Sequence, residues 1–190
     1  MHAATPPTPK ASPLDAFELA RKKFLAGERI DMQQLAVELG LHRTTLYRWV
    51  GTRDRLLGEV LWSLAEPTFA AALEHAGRAR GGERIARAVE HYLKATNDAP
   101  FMRRFLEEEP ETALRVITTK ESVLQARSVE AQQRLIEEEA ARGALDPPLP
   151  PHDLAYLIIR ISESFLYTDI ITGEEPAPEK AGQAVRALLR

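Results

Sequence analysis

The chain lacks several residue types and patterns on which whole classes of protein depend. Its 190 residues include no cysteine, which excludes a disulfide framework and a cysteine-ligated metal site. The five histidines show no metal-binding spacing, such as two on one helical turn with a glutamate between them. A glycine-rich phosphate loop and a nucleophile elbow are also missing. We therefore predict no enzymatic activity, no catalytic residue, no cofactor and no metal.

Long apolar runs are scarce as well. No apolar segment approaches the length of a transmembrane helix, and the N-terminus carries no apolar signal segment. With 44% hydrophobic and 28% charged residues, the composition is typical of a globular protein. We therefore expect a cytoplasmic protein without a membrane partner.

Charge of each sign is unevenly distributed along the chain. Residues 1–55 hold nine Lys or Arg and six Asp or Glu, whereas the remainder holds sixteen and twenty-two. The formal net charge of −3 thus combines a basic N-terminal end with an acidic remainder. Because nucleic acid is anionic, the N-terminal end is the favourable surface for binding it.

Helical periodicity, interrupted by proline and glycine, predicts an all-α fold without a competing strand pattern. Residues 1–13 are rich in Pro, Ala and Thr and are expected to be a disordered arm. Residues 14–58 are predicted to form a three-helix helix-turn-helix domain, and residues 59–190 a helical ligand-binding and dimerisation domain. The expected helices after the first three span residues 54–77 (bent at Pro67), 83–97, 99–108, 110–142, 152–172 and 178–189.

Residues 30–57 contain the most informative pattern. Asp31 is a favoured N-cap, and apolar residues follow it at the spacing of a short amphipathic helix. Gly40 ends this helix, since glycine accepts the left-handed conformation of a sharp turn. A second helix follows over residues 42–49, with Leu46 and Val50 facing inward. This is the arrangement by which a helix enters the major groove of DNA.

The outward face of the second helix is rich in groups that bind DNA. Arginine recognises guanine or phosphate, threonine contacts a thymine edge, and tyrosine donates to phosphate. For Trp49, packing over a neighbouring helix remains an equal alternative. The predicted DNA-binding residues are Gln33, His42, Arg43, Thr44, Thr45, Tyr47, Arg48, Trp49 and, at the start of the next helix, Arg53.

The segment LAVELGLHRTTLYRWVGTRDRLL resembles the N-terminal DNA-binding domain of the TetR family of transcriptional regulators. The residues that carry the resemblance are Ala36, Gly40, Leu46, Tyr47, Val50 and Arg53. His42 stands where the family usually has Ser or Thr, and Arg53 stands where it usually has Lys. The segments FLAGERIDMQQLAVELG, TLYRWVGTRDRLLGEVLWSLAE, RFLEEEPETALRVITTKES and RISESFLYTDIITGEE resemble the QsdR-type branch of that family.

The motif and the resemblance together predict a DNA-binding transcriptional regulator. We expect a homodimeric repressor that binds a palindromic double-stranded operator and responds to a small-molecule effector of unknown identity. Two alternatives remain open at this point. One is a regulator that activates without a ligand, and the other is a helical protein-interaction or scaffolding dimer.

The helix expected over residues 152–172 is apolar around more than one side. This distribution predicts packing both on the chain's own core and on a second subunit, together with the last helix. The predicted dimer-interface residues are Leu154, Ile158, Ile161, Phe165, Val185, Leu188 and Leu189.

Aromatic and methionine residues on the middle helices are candidates for an effector pocket. Plain core packing is the alternative for the same residues. The predicted ligand-binding residues are Trp62, Phe69, Tyr92, Phe101, Met102, Phe105, Thr119, Ser122 and Phe165.

Overall fold

The computed structural model describes residues 11–190, apart from the side chains of Ile170 and Ile171. Within that range the chain is helical and contains no strand, which confirms the predicted all-α class. Residues 1–10, most of the expected arm, lie outside the described residues. The helices are α1 (Pro13–Leu25), α2 (Met32–Glu38), α3 (Arg43–Val50), α4 (Arg53–His75), α5 (Gly81–Asp98), α6 (Pro100–Glu108), α7 (Pro110–Thr118), α8 (Val123–Ala141), α9 (Pro151–Leu166), α10 (Thr168–Thr172) and α11 (Pro178–Leu188).

Helices α1 to α3 form a small N-terminal unit, called the head below. Its first helix begins at Pro13, because Ser12 and Asp15 form a capping box in which each side chain accepts from the other's backbone N–H. Ser12 is thus the N-cap of α1 and Pro13 its first residue. The apolar stripes of the three helices meet in a shared core that includes Ala16, Ala20, Phe24, Leu35, Ala36 and Leu46.

Helix α4 follows the head and connects it to helices α5 to α11. We call α4 to α11 together the body. Thr52 caps its start by accepting from Arg55 N, and the helix continues through Pro67. In the described part of the chain, α4 is long and apolar enough to cross a membrane, which corrects the expectation that no segment is. It packs against α1, α5, α7 and α8 as a core helix does, so length and composition are weak support for a membrane span.

The helix expected over residues 110–142 is two helices, α7 and α8. Thr119 is extended, and Ser122 caps α8 by accepting from Leu124 N. The Ser122 hydroxyl also donates to the carbonyl of Val116. This break lies against Gly58 of α4, where a Cβ atom would come within 2.5 Å of Ser122 Cβ. The close approach of α4 at Gly58 thus coincides with the break between α7 and α8.

The body is built around α5, which packs against α4 and α11, and around the pair α8 and α9. Glu139 lies near the end of α8 and joins it to the start of α5, although only 1% of its surface is exposed. Its carboxylate accepts from Gly81 N at 2.7 Å and from the guanidinium groups of Arg84 and Arg142. The buried charge is therefore paired, as a stable core requires.

The helix expected over residues 152–172 is likewise two helices, α9 and α10, which are separated at Tyr167.

Candidate functional site: the outward face of α3 and two inner cavities

The head contains the predicted turn between α2 and α3. Asp31 Oδ1 accepts from the backbone N–H groups of Gln33 and Gln34, each at 2.8 Å, and so caps α2. Gly40 has φ of +64°, and the next residue, Leu41, donates from its N–H to the carbonyl of Ala36 at 2.8 Å. A left-handed residue and a backward hydrogen bond are what a sharp helix ending requires. The turn therefore aims α3 away from α2.

The start of α3 is capped by His42. Its Nδ1 accepts from Thr44 N at 3.4 Å and lies 2.8 Å from the Thr44 hydroxyl. The ring nitrogen thus occupies the place that a Ser or Thr oxygen has in the family pattern, although histidine is not among the favoured N-caps. His42 is exposed, as the predicted DNA-facing position requires.

The outward face of α3 carries the predicted DNA-binding side chains. Arg43, Thr44 and Arg48 are exposed, whereas Thr45, Tyr47 and Trp49 are half-buried. Arg43 Nη2 donates to the Tyr47 hydroxyl at 3.3 Å, and its guanidinium carbon lies 5.2 Å from the centre of the Tyr47 ring. Gln33 lies exposed at the start of α2. This face presents cations and hydroxyl groups to solvent.

Arg53 is placed differently from the other predicted DNA-binding residues. Its Nε donates to the carbonyl of Ile30 at 2.6 Å, and its Nη2 donates to Glu109 Oε1 at 2.7 Å. Glu109 also lies 3.5 Å from Arg29 Nε. The structure does not favour a phosphate contact for Arg53, because these donors are occupied within the chain. Arg55, in the same helical turn, is exposed.

Sequence reasoning missed the role of Glu109. It stands at the end of an acidic run, a pattern typical of exposed surface, and its partner Arg53 is 56 positions away. The Glu109 side chain is only 11% exposed. We call the contact of Glu109 with Arg53 and Arg29 the carboxylate clasp. It joins the junction of α6 and α7 to the start of α4 and, through Arg29 and the bond from Arg53 to the Ile30 carbonyl, to the head.

An aromatic contact also joins the head to the body. The Phe24 ring of α1 lies 5.3 Å from the ring of Phe105 and 5.7 Å from that of Phe101, both on α6. Such tilted and edge-to-face pairs stabilise beyond the area that they bury. Phe105 was predicted to bind ligand. The structure places Phe105 against Phe24 of the head, outside the lining of the two cavities described below.

Two small cavities, each partly open to solvent, lie between helices of the body. The first, of about 60 Å³, is bordered by α4, α5, α8 and α9, and we call it the upper cavity. The second, of about 70 Å³, adds α6 and α7 to its walls, and we call it the lower cavity. Ala65 and Tyr92 border both. The upper cavity is lined by Trp62, Ala65, Phe69, Val89, Tyr92, Ser128, Ala131, Gln132, Ile159 and Ser162. The lower cavity is lined by Leu61, Leu64, Ala65, Thr68, Tyr92, Ala95, Thr96, Ala99, Phe101, Met102, Ile117, Leu124 and Leu166.

The structure brings together part of the predicted ligand-binding set. Trp62, Phe69 and Tyr92 line the upper cavity, and Tyr92, Phe101 and Met102 line the lower one. The remaining three, besides Phe105, are placed otherwise. Ser122 supports the break before α8, the Thr119 hydroxyl donates to the carbonyl of Arg115 at 2.6 Å, and Phe165 is half-buried against the core. Gln132 was missed, because a glutamine in an amphipathic helix usually faces solvent.

A wider cleft of about 530 Å³ lies on the surface between α5, α6 and the segment before α11. Its walls include Glu90, Lys94, Arg103 and Glu179. A small apolar molecule would bury little of its surface against such charged, hydrated walls. The two inner cavities are the better candidates for an apolar ligand.

The predicted dimer-interface residues divide into two groups. Leu154, Ile158 and Val185 are 0% exposed and Leu189 is 8% exposed within a single chain. The prediction is wrong for these four, because a side chain covered by its own subunit offers no surface to a second one. Ile161, Phe165 and Leu188 are half-buried. The exposed apolar surface of α9 instead belongs to Tyr156 and Leu157, at 45% and 38%.

A polar cluster lies beside this surface. Arg160 Nη1 donates to Glu163 Oε2 at 2.5 Å, and its guanidinium carbon lies 5.2 Å from the centre of the Tyr156 ring. Burial raises the pKa of the Glu163 carboxyl to about 7, and the charge of Arg160 opposes this rise. Burial also holds the pKa of the nearby Tyr167 hydroxyl well above its ordinary value. The charge of Glu163 is thus sensitive to pH near neutrality.

Residues 80–190 match the family model described as "Tetracyclin repressor-like, C-terminal domain". The chain is similar to the solved structure of the R. erythropolis transcriptional repressor QsdR from the TetR family, with a TM-score of 0.86, 29% identity and 93% of each chain covered. It also resembles the TetR family repressor AlkX from Dietzia sp. strain DQ12-45-1b, implicated in biodegradation of n-alkanes, with a TM-score of 0.61, 22% identity and 96% of each chain covered. That second likeness shows the fold alone. No curated protein sequence matches the chain.

Proposed function

The chain belongs to the TetR family of transcriptional regulators and is a DNA-binding regulator, and from this premise we propose that it is a homodimeric repressor released from its operator by an apolar effector. The strongest support is the continuity between the inner cavities and the head. Phe101 lines the lower cavity and also contacts Phe24 of the head. A molecule that expands this cavity would therefore act directly on the packing that positions α3.

We propose that the outward face of α3 enters the major groove. Arg43, Thr44 and Thr45, near the start of the helix, would contact base edges, and Arg48, near its end, would contact the phosphate backbone. Tyr47 holds the Arg43 guanidinium and is close enough to share its phosphate or base partner. His42 and Gln33 would flank this contact, and Trp49 would border it.

A second copy of the chain would complete the operator-binding surface. We propose that Tyr156, Leu157 and Ile161 of α9 meet their equivalents across a two-fold axis, since they form its exposed or half-buried apolar side. Two heads related in this way would read two half-sites separated by about one helical turn of DNA.

The effector and the operator would favour different arrangements of head and body. Each would then weaken the binding of the other by the same factor, as linkage requires. Two contacts would transmit the change, the Phe24 pair with α6 and the carboxylate clasp at the junction of α6 and α7. We place the protein in the cytoplasm and assign it no catalytic activity, as is general for this family.

Titration of the full chain with the DNA upstream of its own gene tests the proposal. Fluorescence anisotropy should show specific binding that weakens steeply with salt. Arg43→Ala should reduce affinity for the specific site by roughly 5- to 150-fold, the cost of about 1–3 kcal/mol for a lost base contact. Arg134→Ala is the matched control, because Arg134 is an exposed arginine on α8 that pairs with Glu130.

Two results would contradict the proposal. Binding that is absent, or insensitive to salt, would exclude operator recognition. Equal effects of Arg43→Ala and Arg134→Ala would show that α3 is not the recognition helix. Tyr47→Phe, which removes a hydroxyl that would donate to phosphate, should weaken binding to specific and nonspecific DNA by about the same factor.

A further inference from the structure

Gln132 of α8 is an unusual member of the wall of the upper cavity. Its side chain is only 2% exposed, and its amide nitrogen, Nε2, has no hydrogen-bond partner. A buried donor without a partner is costly, and most buried polar groups in proteins are satisfied. An acceptor brought within reach of this amide would therefore bind favourably.

Three of the five hydroxyl groups on the cavity walls, those other than Ser128 and Tyr92, are already committed as donors. Ser162 donates to the carbonyl of Ile158 at 2.8 Å in the upper cavity. In the lower cavity, Thr68 donates to the carbonyl of Leu64 at 2.7 Å, and Thr96 donates to that of Tyr92 at 2.8 Å. Each hydroxyl has one proton, so none of these three has a proton left for a ligand. Gln132 is the wall residue with an uncommitted amide donor.

The charge of the ligand follows from the same walls. Among the described residues that line the two cavities there is no Asp, Glu, Lys, Arg or His. An ionised ligand would lose its hydration there without a counter-ion, which is strongly unfavourable. A neutral molecule fits these walls.

The shape of the ligand follows from the common border of the two cavities. Tyr92 and Ala65 line both, and the Tyr92 ring packs edge-on against Phe69 with a centroid distance of 6.3 Å. The separate volumes of about 60 and 70 Å³ are each too small for a typical ligand. A slender chain that passes the Tyr92 ring would occupy both.

We propose that Gln132 determines effector specificity by donating from its amide to one uncharged acceptor, such as a ketone or ester carbonyl, on an aliphatic molecule that lies across both cavities. This inference rests on the proposed function, since it concerns the effector site of the repressor. The carbonyl end lies in the upper cavity beside Gln132, and the aliphatic chain extends past Tyr92 towards Phe101 and Met102.

A pair of isosteric probes tests this inference. 2-Octanone offers one carbonyl acceptor, whereas 2-methyl-1-octene replaces that oxygen with a methylene group. Binding to the full chain is followed by calorimetry and by tryptophan emission, to which Trp62 of the upper cavity contributes beside Trp49. The wild-type chain should bind the ketone about tenfold more tightly than the alkene, the effect of one net hydrogen bond.

Substitutions on α8 assign the preference to one side chain. Gln132→Leu should abolish the preference for the ketone, leave binding of the alkene equal or tighter, and not lower Tm, since it removes an unsatisfied amide. Gln133→Leu is the matched control, because Gln133 is the adjacent residue and its amide donates to Glu137 at 2.8 Å. It should leave the preference unchanged. Gln132→Met, an unbranched replacement, should reproduce the loss if Gln132→Leu does not fold.

The outcomes separate this inference from the proposed function. Equal affinity of the wild-type chain for the two probes, no binding of either, or equal effects of the Gln132 and Gln133 variants would overturn the role of Gln132. DNA binding is measured on the same samples by anisotropy. A wild-type chain that binds DNA but does not distinguish the probes refutes the inference alone, whereas one that does not bind DNA refutes the proposed function.

Discussion

The carboxylate clasp allows a quantitative test of how the head is held to the body. Glu109→Gln keeps the size of the side chain and removes its charge. Arg53 Nη2 would then donate to a neutral amide oxygen, in place of a carboxylate at 2.7 Å. Arg53 keeps its charge, so what the variant loses is the attraction between the two charges, expected to be about 1–2 kcal/mol, between the less than about 1 kcal/mol of an exposed ion pair and the roughly 3–5 kcal/mol of breaking a fully buried one. The side chains of Arg53 and Glu109 are 20% and 11% exposed, so solvent screens this pair only partly.

The free energy of unfolding of each variant is measured by urea titration and by thermal melting. For a chain of this size the expected loss lowers Tm by roughly 2–8 °C. Glu108→Gln is the matched control. Glu108 is the preceding residue, half-exposed, and pairs with Arg104 one turn earlier. An exposed pair of this kind contributes less than about 1 kcal/mol.

A double-mutant cycle assigns the loss to the contact itself. Arg53→Gln and Glu109→Gln, alone and together, should show a coupling free energy of about 1–2 kcal/mol. Coupling within error of zero, or equal losses for Glu109→Gln and Glu108→Gln, would refute the reasoning. The head would then be held to the body by its other contacts, which include the Phe24 pairs and the hydrogen bond from Arg21 Nε to Ser63 Oγ of α4.

Three further predictions concern other parts of the molecule. The unfolded chain releases the Glu163 proton near pH 4.5 and the folded chain near pH 7, so the free energy of unfolding should fall by about 3 kcal/mol as pH rises through this window. Glu163→Gln should remove that slope in urea titrations across pH, and an unchanged slope would exclude Glu163 as its source. Gly40→Ala should cost about 1–2 kcal/mol in thermal melting, because φ is +64° and a Cβ there meets no atom within 4 Å, so the loss reports backbone strain alone. A neutral effect would show that the turn relaxes. Leu157→Asp should yield a folded monomer in analytical ultracentrifugation at micromolar concentration, since Leu157 is exposed in the single chain, and a persistent dimer would place the interface elsewhere.

The local patterns of the head could be predicted from the sequence because each has a short-range cause. Asp31, Gly40 and the apolar spacing of α2 act within a few residues, and the predicted turn is where the structure has it. The all-α fold, the TetR family and a DNA-binding regulator are likewise confirmed. The cap by His42 follows no strong preference of its residue type, so the sequence did not favour it.

The misplaced predictions have a long-range cause. The break between α7 and α8 accompanies the close approach of Gly58, which is more than sixty positions from Ser122. The apolar residues of α9 indicate in the sequence that much of this helix is buried. Only the structure shows that Leu154 and Ile158 are buried in the chain's own core and not against a second subunit. The pairing of Arg53 with Glu109 depends in the same way on two distant helix ends. Periodicity reports which residues are buried, not which partner buries them.

Phe101 touches Phe24 of the head while it lines the lower cavity. A substitution there that enlarges the cavity for a bulkier effector also removes part of the packing that positions the recognition helix. A substitution at this position would therefore change effector specificity and the strength of repression together. Lineages that change their inducer while keeping their promoter would be expected to vary the walls farther from the head, around Trp62 and Gln132, and to retain an aromatic ring at 101.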